Sequence, residues 1–168
     1  MKVFLIGLMG SGKSYWATQL AKKLKTGGYD LDSLIENLED KTIAELFDED
    51  GEDYFRKTEA KLLRWFGEKK AFVLATGGGT PCFHDNMGWM NKQGITIWLD
   101  EDIDTLVERL LPEKAHRPLI RDLSDADLKA YLINKRAERA AFYGQATYCL
   151  SGKEISLAGL QKMIQSHA

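Results

Sequence analysis

Three short apolar runs, Val3 to Ile6, Ala71 to Ala75 and Ile95 to Leu99, stand out from a chain whose remaining stretches are mostly amphipathic. Each is continuous, not alternating, which is the pattern of a strand buried on both faces within a parallel sheet. Each is followed by glycine, polar residues or helical spacing. Between the first two, a helix is predicted over Lys13 to Leu24 and a short strand near Tyr29 to Leu31. A further helix opens at Thr42-Ile43-Ala44-Glu45, which has the spacing of a capping box, and another runs from about Glu52 to Phe66. After Leu99 the acidic stretch Asp100 to Asp104 suits the first turn of a helix carrying Leu106, Val107 and Leu110, because carboxylates there meet the positive end of the helix dipole. Pro112 ends that helix. The polar segment to Leu123 then reads as a surface flap, not as a core element. Helical spacing resumes at Leu128, Leu132 and Ile133 and continues to about Tyr143. Thr147 to Leu150 adds a last strand, and a final helix begins near Leu157.

Strands alternating with helices predict an α/β fold of three layers, with a central parallel sheet covered by helices on both faces. Ligands of such sheets gather at the carboxyl ends of the strands. Functional residues are therefore expected just after strands. Asp30 and Asp32 flank the end of the second strand, and Gly77-Gly78-Gly79 follows the third.

Composition narrows the class. At 168 residues, with 44% hydrophobic and 29% charged positions, the chain is expected to form one domain with its own core. A formal net charge of -2 offers no basic field for nucleic acid. Cys82 and Cys149 make neither a metal-ligand spacing nor a disulfide framework, which fits a reducing, cytoplasmic setting. His84, His116 and His167 are too scattered for a zinc site. No apolar run approaches the ~18 residues a membrane span needs, and the chain opens on a strand pattern in place of a secretory leader.

The densest chemistry lies directly behind the first strand, where Gly7 to Ser14 reads GLMGSGKS. This is the phosphate-binding pattern G-x-x-x-x-G-K-[S/T]. Glycines let successive N–H groups curl round phosphate oxygens, Lys13 reaches the β- and γ-phosphates, and the Ser14 hydroxyl can ligate Mg²⁺. The helix from Lys13 points its N-terminus at the same anion. Such a loop calls for a carboxylate that positions the metal or accepts a proton from the nucleophile. Asp30 and Asp32 are the candidates. If the backbone there is extended, both side chains face one cleft; the competing reading makes Asp32 the cap of the helix starting at Ser33. Arg56 and Glu59 share a helical face. Arg56 either grips a substrate carboxylate with two parallel hydrogen bonds or forms an ordinary surface ion pair with Glu59. The nine acidic residues from Glu36 to Asp53 read as a solvated face. The three glycines imply close approach by a ligand or by backbone, or a tight turn into a helix near Cys82, while Thr76 ends the strand near the metal's water. In the flap, Arg117, stiffened by Pro118, is placed to close over a nucleotide, with Arg109 and Arg121 as possible helpers. Arg136 reads as solvated, and Arg139 lies four residues before Tyr143.

Taken together, GLMGSGKS, Asp30-x-Asp32, Phe55-Arg56-x-x-Glu59, Thr76-Gly-Gly-Gly79, Arg117-Pro118-Leu119 and Arg139-x-x-x-Tyr143 resemble the shikimate kinase family across nearly the whole chain. The resemblance implies a P-loop, nucleoside monophosphate kinase-like fold over residues 1–168, with a short lid at about 111–123 and an acceptor-binding helical region at about 32–66. It implies a monomeric cytoplasmic enzyme that transfers the γ-phosphoryl group of ATP to the 3-hydroxyl of shikimate, a step toward chorismate and the aromatic amino acids. It further implies that Gly10, Ser11, Gly12, Lys13, Ser14 and Tyr15 hold the ATP phosphates, with Ser14 on Mg²⁺ and Asp30 on the metal's water shell. Asp32 would be the base and contact the acceptor hydroxyls. Arg56, Gly78 and Arg139 would bind shikimate, Arg117 would close onto ATP, and Lys13 would stabilise the transferring group. One departure is that no arginine follows Arg139, so Lys153 or backbone groups would meet the adenine. A gluconate or nucleoside monophosphate kinase, or a nucleotide-dependent switch without an acceptor, are the alternatives.

Overall fold

In the computed structural model, which describes residues 1–167, five parallel strands form one sheet. They are β1 (Lys2–Ile6), β2 (Gly28–Asp30), β3 (Phe72–Ala75), β4 (Ile95–Asp100) and β5 (Tyr148–Ser151). Their order is β2-β3-β1-β4-β5, with Phe4 opposite Leu74 on one side and Thr96 on the other. The first strand is thus central, and the chain passes to one side of it and then to the other. A crevice opens at the carboxyl ends where that reversal occurs.

The helices are α1 (Lys13–Leu24), α2 (Leu31–Glu39), α3 (Ile43–Glu49), α4 (Glu52–Phe66), α5 (Asn86–Gln93), α6 (Ile103–Leu110), α7 (Asp125–Tyr143) and α8 (Leu157–Ser166). Because successive strand side chains point to opposite faces, the continuous apolar runs build two cores. Phe4, Ile6, Phe72 and Leu74 pack with Leu63 and Phe66 of α4, Met87 and Met90 of α5, and Leu128 and Leu132 of α7. Val3, Leu5, Val73 and Ile97 pack with Ala17 and Leu20 of α1 and Leu160 and Ile164 of α8. Three layers result, as the sequence predicts. No helix of the described residues is long and apolar enough to cross a membrane.

Local signals set most boundaries. The capping box at α3 is present, with the Glu45 amide donating to Thr42 Oγ1 at 3.1 Å and the Thr42 amide to Glu45 Oε1 at 3.4 Å. Two expectations are corrected. The glycine triplet leads into a single 3₁₀ turn, Thr80–Cys82, and the following helix begins only at Asn86. Pro81 occupies the start of that turn, where its missing N–H costs nothing, and Phe83 is extended. The flap is also less detached than its polarity suggests. It opens with a 3₁₀ segment, Leu111–His116, Ile120 within it is fully buried in the core, and Lys114 Nζ donates to Leu123 O at 2.7 Å.

Candidate active site

The loop between β1 and α1 turns on backbone that only glycine adopts easily, Gly10 at φ 80° and Gly12 at φ 90°. Gly12 caps α1 without a side chain, which leaves the first-turn amides facing the crevice. Lys13 arches back over the loop, its Nζ donating to Gly7 O at 2.7 Å and Leu8 O at 2.9 Å. Burial lowers its pKa to about 8; Arg139 and Arg117 push the same way, while Asp32 and Asp30 oppose them. An anion in the loop would restore the ammonium's solvation.

Gly10, Lys13, Ser14 and Tyr15 line a cavity of about 510 Å³ together with Asp30, Asp32, Thr76, Gly78 and Arg117. Here the extended-strand reading of the two aspartates is corrected. Asp30 ends β2, but Asp32 already lies in the first turn of α2, so strand alternation does not bring them together. The cap is Asp30, not Asp32: its Oδ1 accepts from the Ser33 amide at 3.1 Å, and its Oδ2 accepts from the Ser14 hydroxyl. That frees Asp32. Burial raises the Asp32 pKa to about 6, and the negative charges of Asp30 and Glu59 add to the effect, with Lys13 opposing it. Thr76 Oγ1 donates to Leu5 O at 3.0 Å and so closes the strand end, although the residue lines the cavity.

A second cavity, of about 190 Å³, adjoins the first and shares Met9, Asp32, Gly77, Gly78 and Arg117 with it. Its far wall carries Arg56 from α4 and Arg139 from α7. The surface ion-pair reading of Arg56 is wrong, because Glu59 is 0% exposed. Arg56 Nη1 donates to Glu59 Oε1 at 3.0 Å, and Glu59 Oε2 accepts from Thr80 Oγ1 at 2.7 Å. A buried carboxylate thus fixes the arginine, and removing either partner would strand a charge. Arg139 Nη1 donates to the Tyr143 hydroxyl at 3.5 Å, and the fully buried Tyr143 in turn donates to Gly78 O. The glycine triplet permits all this. A Cβ at Gly77 would lie 2.9 Å from Asp32 Oδ1, at Gly78 2.7 Å from Arg139 Nη1, and at Gly79 2.5 Å from Arg56 Nη2.

From the flap, Arg117 lines both cavities, and its Nε and Nη2 donate to Glu113 Oε2 at 3.1 and 2.9 Å. Arg121 does not join it; it faces an apolar groove between the flap and α3. Arg109 connects the phosphate cavity to a third, of about 790 Å³, that also holds Lys153. Its Nη1 donates to Gly10 O at 3.0 Å, and its Nη2 to Glu101 Oε2 at 3.2 Å. Arg136 is not merely solvated. It forks onto Asp100 through Nε at 2.9 Å and Nη2 at 2.6 Å, with its guanidinium 5.3 Å from the Trp98 ring. The expectation that Asp100 belongs to the first turn of the next helix is also corrected: it closes β4, and only Asp104 lies in the first turn of α6. The role of Thr80 had no local signal, because it depends on a carboxylate from a distant helix.

The chain is similar to known proteins over nearly its whole length. The family model for shikimate kinase matches residues 9–166. The shikimate kinase of Bacteroides fragilis is 39% identical, covering 99% of this chain and 98% of its own length. That of Gloeobacter violaceus is 39% identical over 95% of this chain and 85% of its own. The crystal structure of shikimate kinase from Bacteroides thetaiotaomicron superposes with a TM-score of 0.88 at 37% identity, covering 99% of this chain and 95% of its own. The Acinetobacter baumannii enzyme in complex with shikimate superposes at 0.87, with 29% identity and 98% and 91% coverage. A deoxyadenosine kinase from M. mycoides, 14% identical at 0.59 and covering 99% and 98%, shares the fold. A family model matching residues 9–166 and a relative 39% identical over nearly the full length of both chains show that the chain belongs to the shikimate kinase family.

Proposed function

We propose that this kinase binds ATP phosphates at Gly10 to Tyr15 and shikimate in the adjoining arginine-walled cavity, and transfers the γ-phosphoryl group to the 3-hydroxyl. The products are shikimate 3-phosphate and ADP, on the route to chorismate and the aromatic amino acids. The observation that carries the residue roles is the shared wall: Asp32, Gly78 and Arg117 border the phosphate cavity and the acceptor cavity alike.

The roles follow from charge and place. Arg56 and Arg139 pair with the acceptor's carboxylate, Arg139 beside the Gly78 backbone, and this orients the ring's hydroxyls toward the loop. Asp32, at the boundary with a pKa of about 6, is ionised near neutral pH yet close enough to it to accept the hydroxyl proton as attack begins. Lys13 leaves the two loop carbonyls for the β- and γ-phosphates and stabilises charge on the transferring group. Arg117 exchanges Glu113 for phosphate as the lid closes. Leu119, 65% exposed at the rim of the apolar groove against Ile43 and Phe47, would be covered by the same movement. Closure over both cavities excludes water that would otherwise hydrolyse ATP. The large cavity beyond Arg109, with Lys153 and Gly152 at its edge, is placed to take the nucleoside.

A magnesium site fits the mouth of the loop. Ser14 Oγ and Asp30 are adjacent oxygen donors there, one for direct ligation and one for the water shell. Among the described residues no cluster of three or more His, Cys, Asp or Glu side chains encloses an ion, so the remaining ligands would be phosphate oxygens and water, as this cation prefers. When bound, Mg²⁺ neutralises part of the β- and γ-phosphate charge. We further propose one domain with a lid at 111–123 and an acceptor region at 32–66, acting as a cytoplasmic monomer.

The test is an acceptor panel. Purified protein with ATP and Mg²⁺ should release ADP in proportion to added shikimate and stay near baseline with gluconate or nucleoside monophosphates. ADP release independent of shikimate would overturn the assignment, and slow hydrolysis indifferent to every small acid would favour a nucleotide switch.

A further inference from the structure

The acceptor-side arginine is held from behind by the segment Thr80 to Asn86, and that segment is itself clamped by the helix bearing the arginine. Thr80 meets Glu59, which meets Arg56. The Phe83 ring covers one face of the Arg56 guanidinium at 4.1 Å, and Phe55 approaches at 5.1 Å. Arg56 Nε also reaches Glu52 at 3.5 Å, while Nη2 is directed to Gly79. Within the segment, His84 and Asp85 are both left-handed, at φ 49° and 54°. Two consecutive side-chain-bearing residues in that conformation are uncommon, even though histidine and aspartate adopt it more readily than most.

Arg64 supplies the restraint. It lies on the same helix as Arg56, and its Nη2 donates to His84 O at 2.7 Å while its Nη1 donates to Asn86 Oδ1, also at 2.7 Å. Asn86 is fully buried and passes the contact on, its Nδ2 donating to Thr80 O at 2.9 Å. The path Arg64, Asn86, Thr80, Glu59, Arg56 is therefore closed through side chains and one carbonyl.

We infer that Arg64 and Phe83 are positioning residues for acceptor recognition: they lock the strap that sets the plane of the Arg56 guanidinium against the acceptor's carboxylate. This rests on the reading that Arg56 binds that carboxylate. A forked guanidinium–carboxylate contact depends on the tilt of the guanidinium plane as well as on charge. The Phe83 ring on one face and the Glu59 carboxylate on one edge fix that tilt. Neither Arg64 nor Phe83 lines the phosphate cavity, so loosening the strap changes acceptor affinity and leaves the nucleotide alone.

The experiment is steady-state kinetics of the full chain against shikimate and ATP for Arg64→Met, Arg64→Lys, Phe83→Leu and Arg56→Lys, with thermal unfolding of each. Arg64→Met and Phe83→Leu should each raise the shikimate KM by about tenfold, with ATP KM and kcat nearly unchanged. Arg64→Lys should fall between, because an ammonium can keep one of the two contacts. Phe83→Leu keeps the test open if Arg64→Met does not fold. An unchanged shikimate KM in Phe83→Leu, alongside a raised one in Arg56→Lys, overturns the inference alone. Parallel rises in both substrates' KM would also overturn it, because that reports general loosening. If Arg56→Lys itself leaves the shikimate KM unchanged, the carboxylate reading falls and takes this inference with it.

Discussion

Lys13 and Asp32 border one cavity with their pKa values drawn toward each other, the lysine lowered to about 8 and the aspartate raised to about 6. Burial is the leading cause for both, since it disfavours either charged form. Each side chain's charge partly offsets the other's displacement. The working protonation state, carboxylate with ammonium, therefore spans a narrow window around neutrality.

That window predicts a bell-shaped profile for kcat/KM. A base must be ionised, so activity should fall as pH drops through about 6; an ammonium that binds phosphate must be protonated, so activity should fall as pH rises through about 8. Measuring kcat/KM for shikimate from about pH 5 to about pH 9 checks this. A flat acid limb would remove Asp32 from the role of base.

Asp32→Asn should lower turnover by roughly 10²- to 10⁴-fold while ATP affinity stays close to that of the parent. The same substitution should stabilise the fold. A carboxyl whose folded pKa is raised from 3.8 to about 6 favours folding fully below the unfolded value, and that advantage is lost as pH rises through about 6. At neutral pH the penalty is on the order of 2–3 kcal/mol, and asparagine escapes it. A higher Tm at pH above 7 with low activity is the expected pair of readings, and near-normal turnover would refute the assignment.

Gly79→Ala separates folding from acceptor binding. Gly79 has no positive φ that would penalise a side chain, but its Cβ would lie 2.5 Å from Arg56 Nη2. The guanidinium held by Glu59 and Phe83 must shift to admit it, so the shikimate KM should rise several-fold together with a modest fall in Tm. A large fall in Tm with unchanged KM would place the contact in stability instead.

Arg139→Ala should weaken shikimate binding far more than ATP binding, because its guanidinium lies over Gly78 on the acceptor side. Calorimetric titration with each ligand decides it. Equal losses would mean that Arg139 serves the phosphates.

Arg136→Met should cost stability, not chemistry. Asp100, with 18% of its side chain exposed, would lose both hydrogen bonds of the fork, a loss of about 1–2 kcal/mol that is tempered by the 40% exposure of Arg136. A lower Tm with both KM values near those of the parent is expected. A selective rise in ATP KM would instead tie the pair to the nucleoside cavity that it borders.

Much of the fold was readable because its signals are local. The apolar runs, the Thr42 and Glu45 box, the helix over residues 52–66 and the glycine spacing of the loop each depend on neighbours a few positions away, and each is found where the pattern puts it. The misreadings share the opposite property. Arg136 and Glu59 look like surface charges because helix periodicity cannot show that α7 lies against the end of β4, or that Thr80 comes up beneath α4. Asp30, not Asp32, caps α2 because the strand stopped one residue earlier than expected, and both still line the cavity.

By itself the sequence determined the three-layer α/β class, the phosphate loop and, through six motifs in order, the family to which the chain is similar, since each of these is written in short-range spacing. Only the tertiary structure decided which aspartate caps α2, that the Arg56 and Glu59 pair is buried, and that the two cavities meet at one wall. The reason is physical: desolvation and mutual charge effects depend on how densely distant segments pack around a group, and no linear spacing encodes that density.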